Sequence, residues 1–263
     1  MKTEISNRCA LITGASKGMG KAIAHGLALE GVNVCLVARN RETLLITAKE
    51  IEEKTGVSVC WKTGDVSKLS DIQEIFDYAK KHLGKIDILI NNAGGPKPGS
   101  LLTLTEEDWN AAIELTLRSM IRLTTLAVPS MIERKWGRIV TITSTVAKEP
   151  TPSMVLSATT RAGVTAFTKA VSSEFASKGI TINTVCPGGV FTDRLRDLLE
   201  IRSKSEGIPI EELVDNNEKI IPIARYASPD EIADYVVFLC SERGRYITGT
   251  ALCVDGGLTK GVF

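Results

Sequence analysis

The feature that most restricts what this chain can fold into is the run CALITGASKGMGKAIA, from Cys9 to Ala24. Five strand-forming residues, Cys9 to Thr13, enter a glycine-rich turn, and that turn opens a helical pattern. Gly14 permits a tight turn, Gly18 lets backbone approach a ligand, and Gly20 lets helix and strand pack closely. A helix starting there presents free N–H groups and the positive end of its dipole, which suits a pyrophosphate. Ser16, Lys17 and Met19 complete the candidate cradle.

The rest of the chain repeats the same alternation. Cys9–Thr13, Asn33–Ala38, 57–61, 86–91, 138–143, 180–185 and 251–255 read as strands, with helical periodicity between them, for instance over 20–30, 42–54 and 72–83. Seven strands spaced by helices predict an α/β fold: one doubly wound parallel sheet with helices on both faces. No composition break marks a second domain, so residues 1–263 are expected to form one. The stretch 193–221 is charged, interrupted by Gly and Pro, and long for a connection. Ligands of such sheets bind beyond the carboxyl ends of the strands, so this stretch is a candidate substrate flap; a plain surface insertion is the alternative.

Composition removes several function classes. With 32 basic and 31 acidic residues the net charge is +1, giving no electrostatic case for nucleic acid. The six cysteines (Cys9, Cys35, Cys60, Cys186, Cys240, Cys253) form no C-x-x-C pair and read as reduced core thiols. His25 and His82 are the only histidines, so no His-based metal centre is expected. No membrane span and no signal-peptide pattern is apparent, which leads to the expectation of a cytoplasmic protein.

The loop spacing, Thr-Gly-x-x-x-Gly-x-Gly from Thr13 to Gly20, resembles that of the short-chain dehydrogenase/reductase family. The likeness continues through GDVS (64–67), NNAG (91–94), CPGGVFTD (186–193) and ITGTALCVDGG (247–257), and is strongest to its 3-oxoacyl-[acyl-carrier-protein] reductase-like branch. The resemblance implies a Rossmann-type fold and a nicotinamide cofactor. It places Asp65 and Val66 at the adenine, Asn92, Ala93 and Gly94 over the cofactor, and Pro187, Gly188, Val190 and Thr192 beside the nicotinamide. At the end of the second strand an acidic residue would bind the ribose of NAD and repel a 2′-phosphate. Here that end reads Ala38-Arg39-Asn40, and Lys17 sits in the loop, so NADP(H) is expected over NAD(H).

The resemblance also implies hydride transfer to or from a carbonyl, with a Ser that orients the carbonyl, a Tyr that gives the proton, a Lys beside it, and an Asn that anchors a water. Ser144 occupies the Ser position. Ser157 stands where the Tyr is expected, Arg161 replaces the Lys four residues on, and Thr116 takes the Asn position. A Ser hydroxyl is far less acidic than a phenol, so Ser157 cannot repeat the proton donation. Arg161 stays protonated, but its guanidinium can bind a ribose or clamp an anion. Of the tyrosines, Tyr78, Tyr235 and Tyr246 lie away from the family's site, and only Tyr226, which follows the flap, remains open as a substitute. Three readings follow: an NADP(H)-dependent oxidoreductase with an atypical site and a small substrate, neutral or anionic; a nicotinamide-binding sensor or partner subunit; or a lyase, hydratase or decarboxylase on the same scaffold. The two long helical stretches at 106–134 and 152–178 are those that pair relatives into homodimers or homotetramers. Trp109, Trp136, Phe167 and Phe175 are the candidate contacts, with core packing an equal reading.

Overall fold

The computed structural model describes residues 2–262. Its seven strands are β1 (Cys9–Thr13), β2 (Asn33–Ala38), β3 (Val59–Thr63), β4 (Ile88–Asn91), β5 (Gly137–Ile142), β6 (Ile180–Pro187) and β7 (Ala251–Val254). They form one sheet in the order β3-β2-β1-β4-β5-β6-β7, every neighbouring pair parallel. The Rossmann-type sheet expected from the sequence is therefore present. The strand order reverses between β1 and β4, which opens a crevice at their carboxyl ends, the position where such sheets take ligands.

The alternation of side chains along each strand explains the burial of both faces. Ala10, Ile12, Val34, Leu36, Ile88 and Ile90 point to one side, against Ile23 and Leu27 of α1 (Gly18–Leu29), Leu44 and Ile51 of α2 (Arg41–Thr55), and Ile232 and Val236 of the carboxyl-proximal helix at Pro229–Cys240. Leu11, Cys35, Val37 and Leu89 point to the other, against Ile72, Ile75 and Phe76 of α3 (Leu69–Leu83) and against Leu123 and Met131 further on. A parallel sheet covered on both faces needs near-continuous apolar strands, and the sequence supplies them.

The stretch 106–134 is not one regular helix. It runs as α4 (Glu106–Ala112), a wide π turn (Ile113–Arg118) and α5 (Ser119–Arg134). The hydroxyls of Thr116 and Ser119 donate to the carbonyls of Ala112 (2.7 Å) and Leu115 (2.5 Å), and the Ser119 N–H reaches back five residues to Glu114. Such side-chain competition for the carbonyls loosens an α-helix locally. The next helix, α6, starts at Val155 and ends at Phe175.

The 193–221 stretch is helical rather than irregular. α7 (Asp193–Glu206), capped by Thr192, ends at Gly207 in the left-handed conformation, and α8 (Ile210–Ile220) starts after Pro209. α9 (Pro229–Cys240) follows, with Ser228 and Glu231 forming a capping box. Trp136 and Phe175 pack on the two cores, and Trp136 also lies between the guanidinium groups of Arg8 and Arg138. Trp109 and Phe167 are half-buried and join neither core. No helix among the described residues is long and apolar enough to cross a membrane.

Candidate active site

The sequence-predicted residues converge on the carboxyl edge of the sheet. Gly14 to Gly20 follow β1, Arg39 follows β2, Asp65 and Val66 follow β3, and Asn92, Ala93 and Gly94 follow β4. Ser144 lies just past β5; Pro187 ends β6, and Gly188, Val190 and Thr192 come after it.

The loop after β1 is built around positions where a side chain would force the backbone to shift. Gly14 and Gly18 have φ of +60° and +54°, a region that favours glycine. A methyl on Gly20 would lie 2.1 Å from the Gly14 carbonyl oxygen and 2.6 Å from Asn92 Nδ2. Asn92 holds this turn against β4: its Nδ2 donates to the Gly14 carbonyl (3.1 Å), its N–H donates to Thr13 Oγ1 (3.0 Å), and its carbonyl accepts from that hydroxyl (2.9 Å). Thr47 of α2 secures the other side through the Ser16 carbonyl (3.0 Å). Helix α1 begins with no side-chain cap and no acid in its first turn, so neither of these neutralises its N-terminus. The loop therefore fits the pyrophosphate of a dinucleotide: its glycines close the turn tightly against Asn92, and the start of α1 behind it carries no side-chain cap.

Lys17 and Arg39 are exposed, and no acid ends β2. Burial raises the pKa of the Asp65 carboxyl, but the N–H and hydroxyl of Ser67 (3.0 and 2.8 Å) and the charge of Arg39 outweigh it and hold the group below the usual carboxylate range. Arg39 thus acts at the end of β3 as well as β2.

The positions where the family resemblance expects the Tyr and the Lys lie on the first turns of α6. Ser157 and Arg161 are both buried, and Arg161 Nε donates to Ser157 Oγ (3.1 Å) while Nη1 reaches the Ile142 carbonyl at the end of β5 (3.4 Å). The i,i+4 spacing on one helical face makes the first of these contacts possible. Burial, and then the charge of Arg194, pull the Arg161 guanidinium down to about 10, so it remains a cation at neutral pH. Ser144 is half-buried, and its Oγ accepts from the Val146 N–H (3.4 Å), starting a single 3₁₀ turn.

Thr116 lies in the π turn with its hydroxyl committed to Ala112. It lines a cavity of about 20 Å³ with Asn91, Ser119 and Thr141. The Asn91 Oδ1 in that group is buried without a partner among the described residues, and the volume has room for one water. Tyr226 packs its ring where a methyl on Gly189 would meet it at 2.6 Å, 6.2 Å from the Phe191 ring. Burial pushes its phenol above the ordinary value, which makes it a poorer acid.

Sequence reasoning missed two contributors. Asn91 carries the unpaired polar atom that the Thr116 position does not offer. Arg194, in the first turn of α7, reaches back to the loop after β4 and donates to the Pro96 carbonyl (3.4 Å). Its position directly behind the CPGGVFTD run was the available signal.

Residues 14–259 match the family described as enoyl-(acyl carrier protein) reductase. The 3-oxoacyl-[acyl-carrier-protein] reductase of Aquifex aeolicus is 33% identical over 98% of this chain and 100% of its own length. The structure of L-sorbose reductase from Gluconobacter frateurii, complexed with NADPH and L-sorbose, is 33% identical, has a TM-score of 0.96 and covers 100% of both chains. A single-residue variant of actinorhodin polyketide ketoreductase, solved with NADPH, is 36% identical, with a TM-score of 0.92 over 99% of this chain and 100% of its own.

Proposed function

The chain belongs to the short-chain dehydrogenase/reductase family, and from that membership we propose that it is an NADP(H)-dependent oxidoreductase acting between a small carbonyl-type substrate and its alcohol. The observation that carries this reading is the uncapped, glycine-bounded start of α1 at the crevice between β1 and β4. Gly14, Ser16, Gly18, Met19 and Gly20 hold the pyrophosphate, and Lys17 and Arg39 take a 2′-phosphate by charge-assisted hydrogen bonds. Asp65 and Val66 hold the adenine; Asn92, Ala93, Gly94, Pro187, Gly188, Val190 and Thr192 surround the nicotinamide end. When bound, the reduced nicotinamide supplies a hydride.

The chain's own residues perform the rest. Ser144 presents a hydroxyl to the carbonyl oxygen. Ser157 braces Arg161, whose fixed positive charge stabilises the developing alkoxide. The proton comes from solvent, because neither Ser157 nor a guanidinium is a competent acid at neutral pH. Absence of a positioned acid lowers the rate by about 10²–10⁴ relative to a site that has one. A nicotinamide-binding protein without turnover is the competing reading, favoured by the commitment of the Ser157 hydroxyl to Arg161.

The reading extends to one domain over residues 1–263 with α7 and α8 as the substrate flap. It also includes a cytoplasmic location and a homodimer or homotetramer through the 106–134 and 155–175 helices, supported by the half-buried Trp109 and Phe167. Fluorescence titration with NADPH and NADH tests the cradle, and absorbance at the reduced-nicotinamide band with ketones, enones and imines tests turnover. No NADPH binding would sink the proposal; binding without oxidation by any acceptor would leave the binding-protein reading.

A further inference from the structure

Arg161 and Arg194 come from distant parts of the chain and meet at one glycine. A methyl on Gly95 would lie 2.8 Å from Arg194 Nη2 and 3.6 Å from Arg161 Nη2. The first guanidinium is buried at the base of α6, 7% exposed; the second is on α7 and more than a third exposed. Neither forms an ion pair within 4.0 Å among the described residues. Asp193 and Asp197 share α7 with Arg194, and Asp197 supports its charge from a distance, but neither reaches it.

The hydrogen-bond inventory is equally open. A guanidinium carries five N–H groups. Arg161 commits one to Ser157 Oγ and one to the Ile142 carbonyl, and Arg194 commits one to the Pro96 carbonyl. Nη2 of Arg161, turned toward Gly95, has no protein acceptor among the described residues. Two like charges, one desolvated, are costly side by side unless an anion joins them. Gly95 keeps the space between them free of a side chain.

We propose that Arg161 and Arg194 form a clamp for a carboxylate of the substrate, Arg161 as its buried floor and Arg194 as its rim on the flap, so that the natural substrate is a free keto acid or hydroxy acid. The proposal rests on the oxidoreductase reading above and narrows its substrate class. A planar carboxylate offers two oxygens to two forks of donors, which a neutral ketone or an ester cannot. Holding the carboxylate on both an α6 and an α7 residue also links occupancy to the position of the flap.

Thermal shift with pyruvate and acetoacetate tests the clamp, each compared with its neutral methyl ester and with sodium chloride at matched ionic strength, with and without NADPH. NADPH affinity is measured in parallel. The acids are expected to raise Tm and the esters and chloride are not. In Arg194→Met that acid effect disappears while the NADPH Kd stays within about twofold. Arg161→Met, which removes the uncompensated buried cation, melts higher than the parent without acid and no longer responds to it. Equal shifts with acids and esters, or none, overturn the clamp, as does an acid effect that survives in Arg194→Met. A tenfold or greater weakening of NADPH binding in Arg194→Met assigns the pair to the cofactor instead and also overturns it. Failure of the parent protein to bind NADPH at all would strike the oxidoreductase reading, a separate result.

Discussion

Gly20→Ala isolates the cradle from the rest of the fold. The added methyl would lie 2.1 Å from the Gly14 carbonyl oxygen, more than 1 Å inside ordinary contact, and 2.6 Å from Asn92 Nδ2. Both are parts of the turn itself, so the strain moves the Gly14–Gly20 backbone against α1. Overpacking costs about 1–3 kcal/mol, and the better helix propensity of alanine returns about 1 kcal/mol. The net loss of about 0–2 kcal/mol lowers Tm by about 0–8 °C for a chain of this size, so the variant remains folded. Binding suffers more. Displacing backbone donors from a phosphate by about 1 Å forfeits one charge-assisted hydrogen bond, about 1.5–3 kcal/mol, and raises the NADPH Kd about 10- to 150-fold. Gly26→Ala is the control: it lies on the same helix, gains the same propensity, and meets only Val237 Cγ2 at 3.2 Å and Ala233 Cβ at 3.8 Å. NADPH fluorescence titration of both variants, with a melting curve of each, gives the answer. A folded Gly20→Ala protein with the parent's Kd would refute the assignment of this loop to the phosphates.

Arg39→Ala is expected to raise the NADPH Kd at least about tenfold and to leave NADH unchanged, since one charge-assisted contact to the 2′-phosphate is lost; equal effects on both cofactors would contradict that role. Asp87 is fully buried at the opposite, amino edge of the sheet, accepts from the Cys9 N–H (3.1 Å) and pairs with Arg134 and Lys85 (both 3.3 Å). Asp87→Ala should cost about 3 kcal/mol in urea unfolding, the low end for a broken buried pair because both cations keep access to solvent. Its NADPH affinity should match the parent's. The Glu231 carboxyl is held at about 2 by Arg225, to which it bonds at 2.7 Å through both oxygens, and by the Ser228 N–H. A depressed folded-state pKa stabilises fully above the ordinary value of 4.5, and that stabilisation is lost as pH falls toward 2. Melting curves of Glu231→Gln should therefore fall less steeply across that window than the parent's; identical acid limbs would show that the pair does not act on stability.

Local pattern determined the sheet and its cradle. The apolar runs from Cys9 to Thr13 and from Asn33 to Ala38 are strands because both faces of a parallel sheet are covered, and no other element suits a short unbroken apolar run followed by Gly14, Gly18 and Gly20. The family motifs likewise fixed which residues stand at the carboxyl edge, because motif spacing is a property of the chain. The site's chemistry was less legible. That Ser157 and Arg161 share a face followed from their spacing of four, but the bond between them depended on the burial of α6 against β5. The π turn at Thr116 coincides with hydroxyls of Thr116 and Ser119 reaching back along their own helix, a local geometry that periodicity does not register. The place of Arg194 behind the CPGGVFTD run was legible, but its partners were not: it follows Pro96 by 98 residues, and only the packing of α7 over the loop after β4 brings it to Gly95 and Arg161. Contacts within one element or one motif are written in neighbouring residues, whereas charges that meet across the crevice are set by how the sheet and its helices close on each other.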